Sequence, residues 1–302
     1  SRKQQRKLPE NSRNYTERSG RVCGGKEMIR KYQICVVQMD TRDDVEANLK
    51  AACEFIDEAA SKGAKLVSFP EVMNVISENP PEPEEVPGGR TISLMAEKAR
   101  EHGIYIHCGS IAEINPDGDR KYNTTAFLNP KGECIAKYRK LHTFDITLPD
   151  GTVANESERI KPGSEIVTVN TELGCFGLSI CYDIRFPELY RYMVLHGAQL
   201  LLTPANFTTP TGKDHWEAIL RCRAIENSSY VIAAAQIGKK KGVSNSFGSS
   251  MVVDPWGTVI SRARETACVI MADIDLDYLD DVRRRMPGLV NRRSDIYDVI
   301  KK

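Results

Sequence analysis

Three polar side chains stand where apolar stretches stop: Glu71 at the end of "VSFPE", Lys140 at the end of "ECIAKYRK", and Cys181 inside "LSICYDIRFPE". A thiol is a good nucleophile only as thiolate, and at an ordinary pKa of about 8.5 little of it is ionised near neutrality. Cys181 therefore needs a base. Of the five histidines, His102 and His196 fall at expected helix ends and His107 within an expected strand. His142 and His215 fall on a loop or a helix start, and nothing in their spacing directs either to Cys181. A carboxylate can do the same work when partly desolvated, because burial raises its pKa toward neutrality and makes it first a base and then an acid. Glu71, directly after Pro70 at a buried strand end, has that position, and Lys140 would then stabilise negative charge on a carbonyl oxygen. Each residue also has a plain reading, the thiol as core packing and the two charges as rim residues or ion-pair partners. Spacing alone does not choose.

The elements that would position these groups alternate from residue 32 onward. "YQICVVQM" (32–39) reads as a strand, followed by Val45, Leu49, Ala52, Ile56 and Ala59 at helical spacing. "KLVSFP" (65–70) is a short strand, and Ile92, Met95, Ala96 and Ala99 mark a second amphipathic helix. Three strands come next at 104–114, 122–128 and 133–140, joined by "NPDG" and "NPKG", whose proline and glycine suit hairpin turns. The same order returns: strand 175–180, helix 187–196 with Leu189, Tyr192, Met193 and His196 on one face, strand 199–203, helix 214–226, strand 230–236 and a hairpin at "DPWG". Asp214 and Glu217 resemble a capping box for the second of these helices.

Two β-α-β-α-β-β-β halves, joined near 141–171, each leave one sheet face uncovered by helices. Pressing those faces together predicts an α/β fold in four layers, an α-β-β-α sandwich with an internal pseudo-two-fold repeat. A single doubly wound sheet is the rival, opposed by the consecutive hairpins. Cys181 then sits at a strand-to-helix corner, with Pro187 in the first turn of the next helix and that helix's amino end nearby.

Composition narrows the partners. The chain has 302 residues, 41% hydrophobic, with 42 lysines and arginines against 41 acids. That balance gives no global field to concentrate nucleic acid or an anionic membrane, and no apolar run is long enough to span a bilayer. The expectation is a cytoplasmic protein acting on a small molecule. Nine cysteines without a Cys-x-x-Cys pair, including Cys35, Cys53, Cys108 and Cys134 in apolar segments, read as reduced core residues. Residues 1–31 carry ten basic and three acidic residues and are expected to form a disordered or loosely attached extension, with Met28 as an alternative start and 32–302 as the folded domain.

The segments "FPE" (69–71), "YRKLHTFD" (138–145), "ICYDIRFPE" (180–188), "HWEAILRCRAIEN" (215–227) and "MVVDPWG" (251–257), in this order, resemble the carbon-nitrogen hydrolase (nitrilase) superfamily. The resemblance runs from about 32 to 298. It implies an αββα fold and a Glu-Lys-Cys triad falling on Glu71, Lys140 and Cys181, with no metal or organic cofactor. A further glutamate matches Glu156 in "NESERIKPG", with Glu158 as a substitute, and the backbone N–H of Tyr182 would share an oxyanion hole with Lys140. The implied reaction is amide hydrolysis through a thioester, releasing ammonia.

"Cys-Tyr-Asp" resembles the amidase branches, and "KLHTFDI", "ESERIKPG" and "TGKDHWE" look most like the deaminated glutathione amidase and omega-amidase group. That group cleaves terminal amides of small carboxylate-bearing molecules. Lys213 and Asp214 depart from its usual small or apolar residues. Hydrolysis of an N-carbamoyl compound is the alternative reaction, and a catalytically silent binding scaffold the alternative class. Arg185 is either an anchor for a substrate carboxylate or an ion-pair partner of Asp183 or Glu188, and Asn206 and Phe207 are pocket-wall candidates by position. The tail 273–299, a C-terminal arm from about 275, begins with a helical pattern and then crosses a proline into an extended, arginine-rich stretch. The resemblance lays such an arm across a subunit boundary, implying a homodimer or higher homo-oligomer.

Overall fold

The computed structural model describes residues 22–23, 26–147, 151, 153–240 and 244–302. Its first half runs β1 (Lys31–Gln38), α1 (Val45–Ser61), β2 (Leu66–Ser68), α2 (Arg90–His102), β3 (Tyr105–His107), β4 (Ile111–Glu113), β5 (Tyr122–Leu128) and β6 (Cys134–Arg139). A small hairpin, β7 (Asp145–Thr147) and β8 (Val153–Asn155), leads to β9 (Thr168–Thr171). The second half runs β10 (Gly174–Leu178), α3 (Pro187–Leu195), β11 (Leu200–Leu202), α4 (Thr209–Asn227), β12 (Tyr230–Ala233), a short pair β13 (Ile237–Gly238) and β14 (Ser246–Phe247), β15 (Met251–Val253) and β16 (Val259–Arg262). The chain closes with β17 (Cys268–Asp275) and α5 (Leu276–Arg285).

Strand β1 shows how the layers arise. Side chains alternate faces along a strand, and here both faces are buried. Ile34 and Val36 share a core with Phe127 of their own sheet and with Phe176, Leu178 and Leu202 of the other half. Cys35 and Val37 instead pack with Ile56, Ile92 and Ala99 of α1 and α2. The first sheet therefore has helices behind it and the second sheet in front. Phe127 and Phe176 meet across the interface with ring centroids 5.2 Å apart. On the far side, Gly177 of β10 leaves room for Met193 of α3, whose Sδ would lie 2.9 Å from any added Cβ.

Each sheet has three parallel strands flanked by antiparallel ones, ordered β9-β10-β11-β12-β15-β16 in the second. In the first, β17 joins β1, followed by β2 and β3, with β5 antiparallel to β3 and β4 and β6 beyond it. This is the predicted α-β-β-α sandwich with its repeated halves, and the single doubly wound sheet is excluded.

Several local expectations are corrected. The segment expected to open a helical tail at 273 is the end of β17, paired with β1 from Cys268↔Gln38 to Asp275↔Lys31. A pairing that spans most of the chain leaves no mark in local periodicity. The expected strand 104–114 breaks between β3 and β4 at Gly109, whose φ of +57° and close approach to Pro70 O exclude a side chain. Helix α4 starts at Thr209 rather than 214, with Pro210 in its first turn, so Asp214 and Glu217 form no capping box. The buried face of α3 is Leu189, Tyr190, Met193 and Val194; Tyr192 and His196 stack on each other at 3.9 Å. Gly132 and Gly257 take the positive φ expected of their turns, but Gly118 does not.

Most of the basic extension lies outside the described residues. Its end does not hang loose, since Met28 is buried, Ile29 N donates to Glu172 O at 2.7 Å and Arg30 Nε to Asp277 at 2.8 Å. Among the described residues, no helix is long and apolar enough to cross a membrane.

One buried group gives the sandwich a pH dependence. His107 of β3 lies tilted beside Phe127, with ring centroids 6.3 Å apart, and meets Ser68 Oγ at 2.9 Å, and burial pushes its imidazole from 6.5 down to about 3. Between those values the unfolded chain binds a proton that the folded chain refuses, so this contribution to stability is lost as pH falls from about 6.5 toward 3. Urea unfolding between about pH 4 and 7 is expected to show a flatter acid limb for His107→Asn, which has no ring to protonate. An equally steep limb would assign the acid sensitivity to other groups.

Candidate functional site

Three strand ends converge. Glu71 follows β2, Lys140 follows β6 directly, and Cys181 follows β10. All three side chains are buried and line one cavity of about 580 Å³, together with Glu156, Tyr182, Asn206 and Phe207. Ligand sites of open α/β sheets gather at the carboxyl ends of parallel strands. Here two such sheets contribute to one cleft.

Charge compensation decides the arrangement, because an unpaired buried charge costs several kcal/mol. Lys140 Nζ donates to Glu71 Oε1 at 3.0 Å and to both oxygens of Glu156, at 3.0 and 2.8 Å. Burial alone would depress the lysine; the charges of Glu71 and Glu156 outweigh it and hold Lys140 well above the ordinary lysine range. Glu71 Oε1 also accepts from Asn123 Nδ2 at 2.8 Å, and Oε2 from the Asn206 N–H at 2.8 Å. Glu156 is fixed from the other side by Phe144 N at 2.6 Å, at the mouth of the β7–β8 hairpin. Glu158, the substitute, is exposed and accepts from Asn155 Nδ2 at 3.2 Å, away from Lys140.

The thiol sits in this field. Burial, then the negative charge of Glu71, push Cys181 well above an ordinary thiol; Lys140 opposes them, a hydrogen bond to Glu71 raises it further, and the Asn206 N–H lowers it. Cys181 is thus held toward the neutral thiol beside the Glu71 carboxylate, the pairing a general base requires.

Backbone geometry presents the sulfur. Cys181 has φ +48°, a value that non-glycine residues seldom adopt, and Val72 beside Glu71 has φ +50°. The corner is held from within: Cys181 N donates to Pro204 O at 2.8 Å, and Ile180 N to Asp183 Oδ2 at 2.8 Å. Asp183 also accepts from Tyr138 Oη at 2.6 Å and from His142 N and Nδ1 at 3.0 and 2.7 Å. One buried carboxylate thereby ties the cysteine corner to the segment carrying Lys140. Cys181 itself opens a 3-10 turn, Cys181–Arg185, and α3 begins after it with Pro187 in its first turn, as expected. The Tyr182 N–H, in the first turn of that element, has no hydrogen-bond partner among the described residues.

Arg185 departs from both expectations. It does not line the cavity, and it pairs with neither Asp183 nor Glu188. Its guanidinium lies 5.4 Å over the Phe207 ring and 3.3 Å from His215 Nδ1. Sequence reasoning misses Asn123, Asp183, Lys121 and Arg159. A signal exists for Asn123, an amide within the apolar strand "YNTTAFL"; Asp183 reads only as a partner for Arg185. The Asp57, Glu101 and His102 cluster, with metal-ligand spacing, lies on the outer helix layer, where Lys98 already pairs with both acids.

Known proteins resemble this chain along most of its length. The family model described as carbon-nitrogen hydrolase matches residues 33–284. The nitrilase and fragile histidine triad fusion protein NitFhit of Caenorhabditis elegans is 41% identical over 272 residues, 88% of this chain but 62% of that longer protein. Its crystal structure aligns with a TM-score of 0.84 at 39% identity, covering 90% of this chain and 67% of that one. Deaminated glutathione amidase of Mus musculus is 40% identical over 87% of this chain and 84% of its own length. Omega-amidase NIT2 of Homo sapiens is 39% identical over 90% and 98% respectively.

If Asp183 holds the corner as described, Asp183→Asn places an amide N–H against the Ile180 or His142 N–H. Urea unfolding is expected to show a loss of about 1–3 kcal/mol, against less than about 0.5 kcal/mol for the exposed Glu188→Gln.

Proposed function

This chain belongs to the carbon-nitrogen hydrolase family, and we propose that it hydrolyses the terminal amide of a small carboxylate-bearing molecule at Cys181, releasing ammonia. The observation that carries the reading is the meeting of one thiol, one carboxylate and one ammonium at a single cavity from three strand ends. The names of its relatives, deaminated glutathione amidase and omega-amidase, support the substrate class.

In the proposed cycle, sulfur attacks the amide carbonyl while Glu71 takes the thiol proton. The oxyanion that forms is held by Lys140 and the Tyr182 N–H, groups already in place before charge develops. Collapse breaks the C–N bond, and protonated Glu71 returns its proton to nitrogen so that ammonia departs. Water, giving its proton to the same carboxylate, then adds to the thioester. The C–S bond breaks, the acid leaves and the thiol is reprotonated. Glu156 positions Lys140 against the Glu71 carboxylate throughout, and Asn206 and Phe207 form the wall beside the sulfur. Glu71 alternates between base and acid without a second titrating group.

Cys181→Ala is expected to abolish ammonia release, and Glu71→Gln to reduce kcat by at least about 100-fold while leaving a thiol that can be titrated. Intact-mass measurement after rapid quench should find the acyl group on Cys181. Unchanged ammonia release by Cys181→Ala would overturn the site.

The folded domain is proposed as residues 32–302 with the basic stretch as an appendage, and the cytoplasm as its compartment, in keeping with eight free cysteines among the described residues. A homodimer is proposed from the C-terminal arm, where Met286, Ile296, Tyr297 and Ile300 expose large apolar side chains. Static light scattering should give at least twice the 33.8 kDa chain mass; a monomer mass would refute the dimer.

A further inference from the structure

The cavity holds more positive charge than its catalytic groups need. Two carboxylates, Glu71 and Glu156, share the ammonium of Lys140. Two further cations, Lys121 and the exposed Arg159, line the same cavity, and among the described residues neither forms a salt bridge. Lys121 is half-buried; burial lowers its pKa, the neighbouring Arg159 charge lowers it further, and the exposed Glu82 opposes them. A desolvated lysine facing a cavity beside a second cation is costly unless an anion arrives to share it.

The backbone fixes where that anion would lie. Lys121 directly precedes β5 and is locked to the 159–161 segment, its N–H donating to Arg159 O at 3.1 Å and its carbonyl accepting from Lys161 N at 2.8 Å. Asn123 lies two residues along, on the same strand face. Asn123 Nδ2 must point at Glu71, since a carboxylate only accepts, which leaves its buried Oδ1 without a partner among the described residues. An amide –NH₂ is the natural donor to that oxygen. One strand edge thus offers an acceptor for the amide end near Cys181 and, about 6.6 Å farther along at its backbone, a pair of cations.

Resting on the amidase reading above, we propose that Lys121 and Arg159 form the carboxylate-recognition pair of this site. The substrate is then a monoamide of a short dicarboxylic acid, its amide at Cys181 and Asn123 and its carboxylate at Lys121. This assigns to Lys121 and Arg159 the role considered for Arg185.

The test compares succinamate and glutaramate with butyramide, a neutral amide of matching size. For Lys121→Met and for Lys121→Met with Arg159→Gln, the ratio of kcat/KM for the acidic amides to that for butyramide is expected to fall about tenfold or more, mainly through KM. Lys121→Glu should shift preference toward 4-aminobutyramide. A ratio within threefold of the parent in the double variant, an equal loss on butyramide, or loss of discrimination by Arg185→Gln in their place would overturn the pair while leaving the catalytic reading intact. A parent chain that releases ammonia from none of these amides would overturn both.

Discussion

The ammonium of Lys140, enclosed between two carboxylates, is the interaction on which the rest of the site depends. Three formal charges are taken out of water together, and such a group is tolerable only when every member is paired and hydrogen-bonded. The need for full pairing explains why the surrounding donors are so specific: Asn123 and the Asn206 N–H satisfy Glu71, and Phe144 N satisfies Glu156. It also explains the neutral thiol, since sulfur placed beside an already charged carboxylate keeps its proton until a substrate gives the electrons somewhere to go.

The two-sheet sandwich makes that enclosure possible. A triad on long free loops would drift, whereas these side chains follow closely on the ends of strands whose positions are set by aromatic packing between sheets and by parallel pairing within them. Asp183 carries the rigidity across the seam, taking donors from Tyr138 and His142 of one half and from Ile180 of the other. The strained backbone at Cys181 and Val72 is held by these bonds and by Ser110 Oγ, which accepts from Val72 N at 3.1 Å.

Much of this is legible in the residues. Apolar runs ending in Glu71, Lys140 and Cys181 mark the strand ends, and the repeated order of strands, helices and hairpins marks the two halves. What stays hidden is whatever depends on distant pairing. Strand β17 reads as part of a helical tail because its partner lies at the other end of the chain. Asp183 reads as an ion-pair partner of Arg185 because local spacing cannot show that Tyr138 and His142 come to meet it. The start of α4 is misplaced because Asp214 and Glu217 mimic a cap inside a helix that Pro210 has already begun. Lys121 and Arg159 have no signal of their own, since an unpaired cation becomes informative only when the cavity around it is known.

The pairing of β17 with β1 has a consequence for biosynthesis. Strand β1 leaves the ribosome long before β17, the partner that covers its outer edge. Until then the nascent sheet presents an apolar strand with free N–H and C=O groups, a template for pairing with a neighbouring polypeptide. Chaperone shielding matters most in that interval, and a translation product ending before residue 268 would carry the exposed edge permanently.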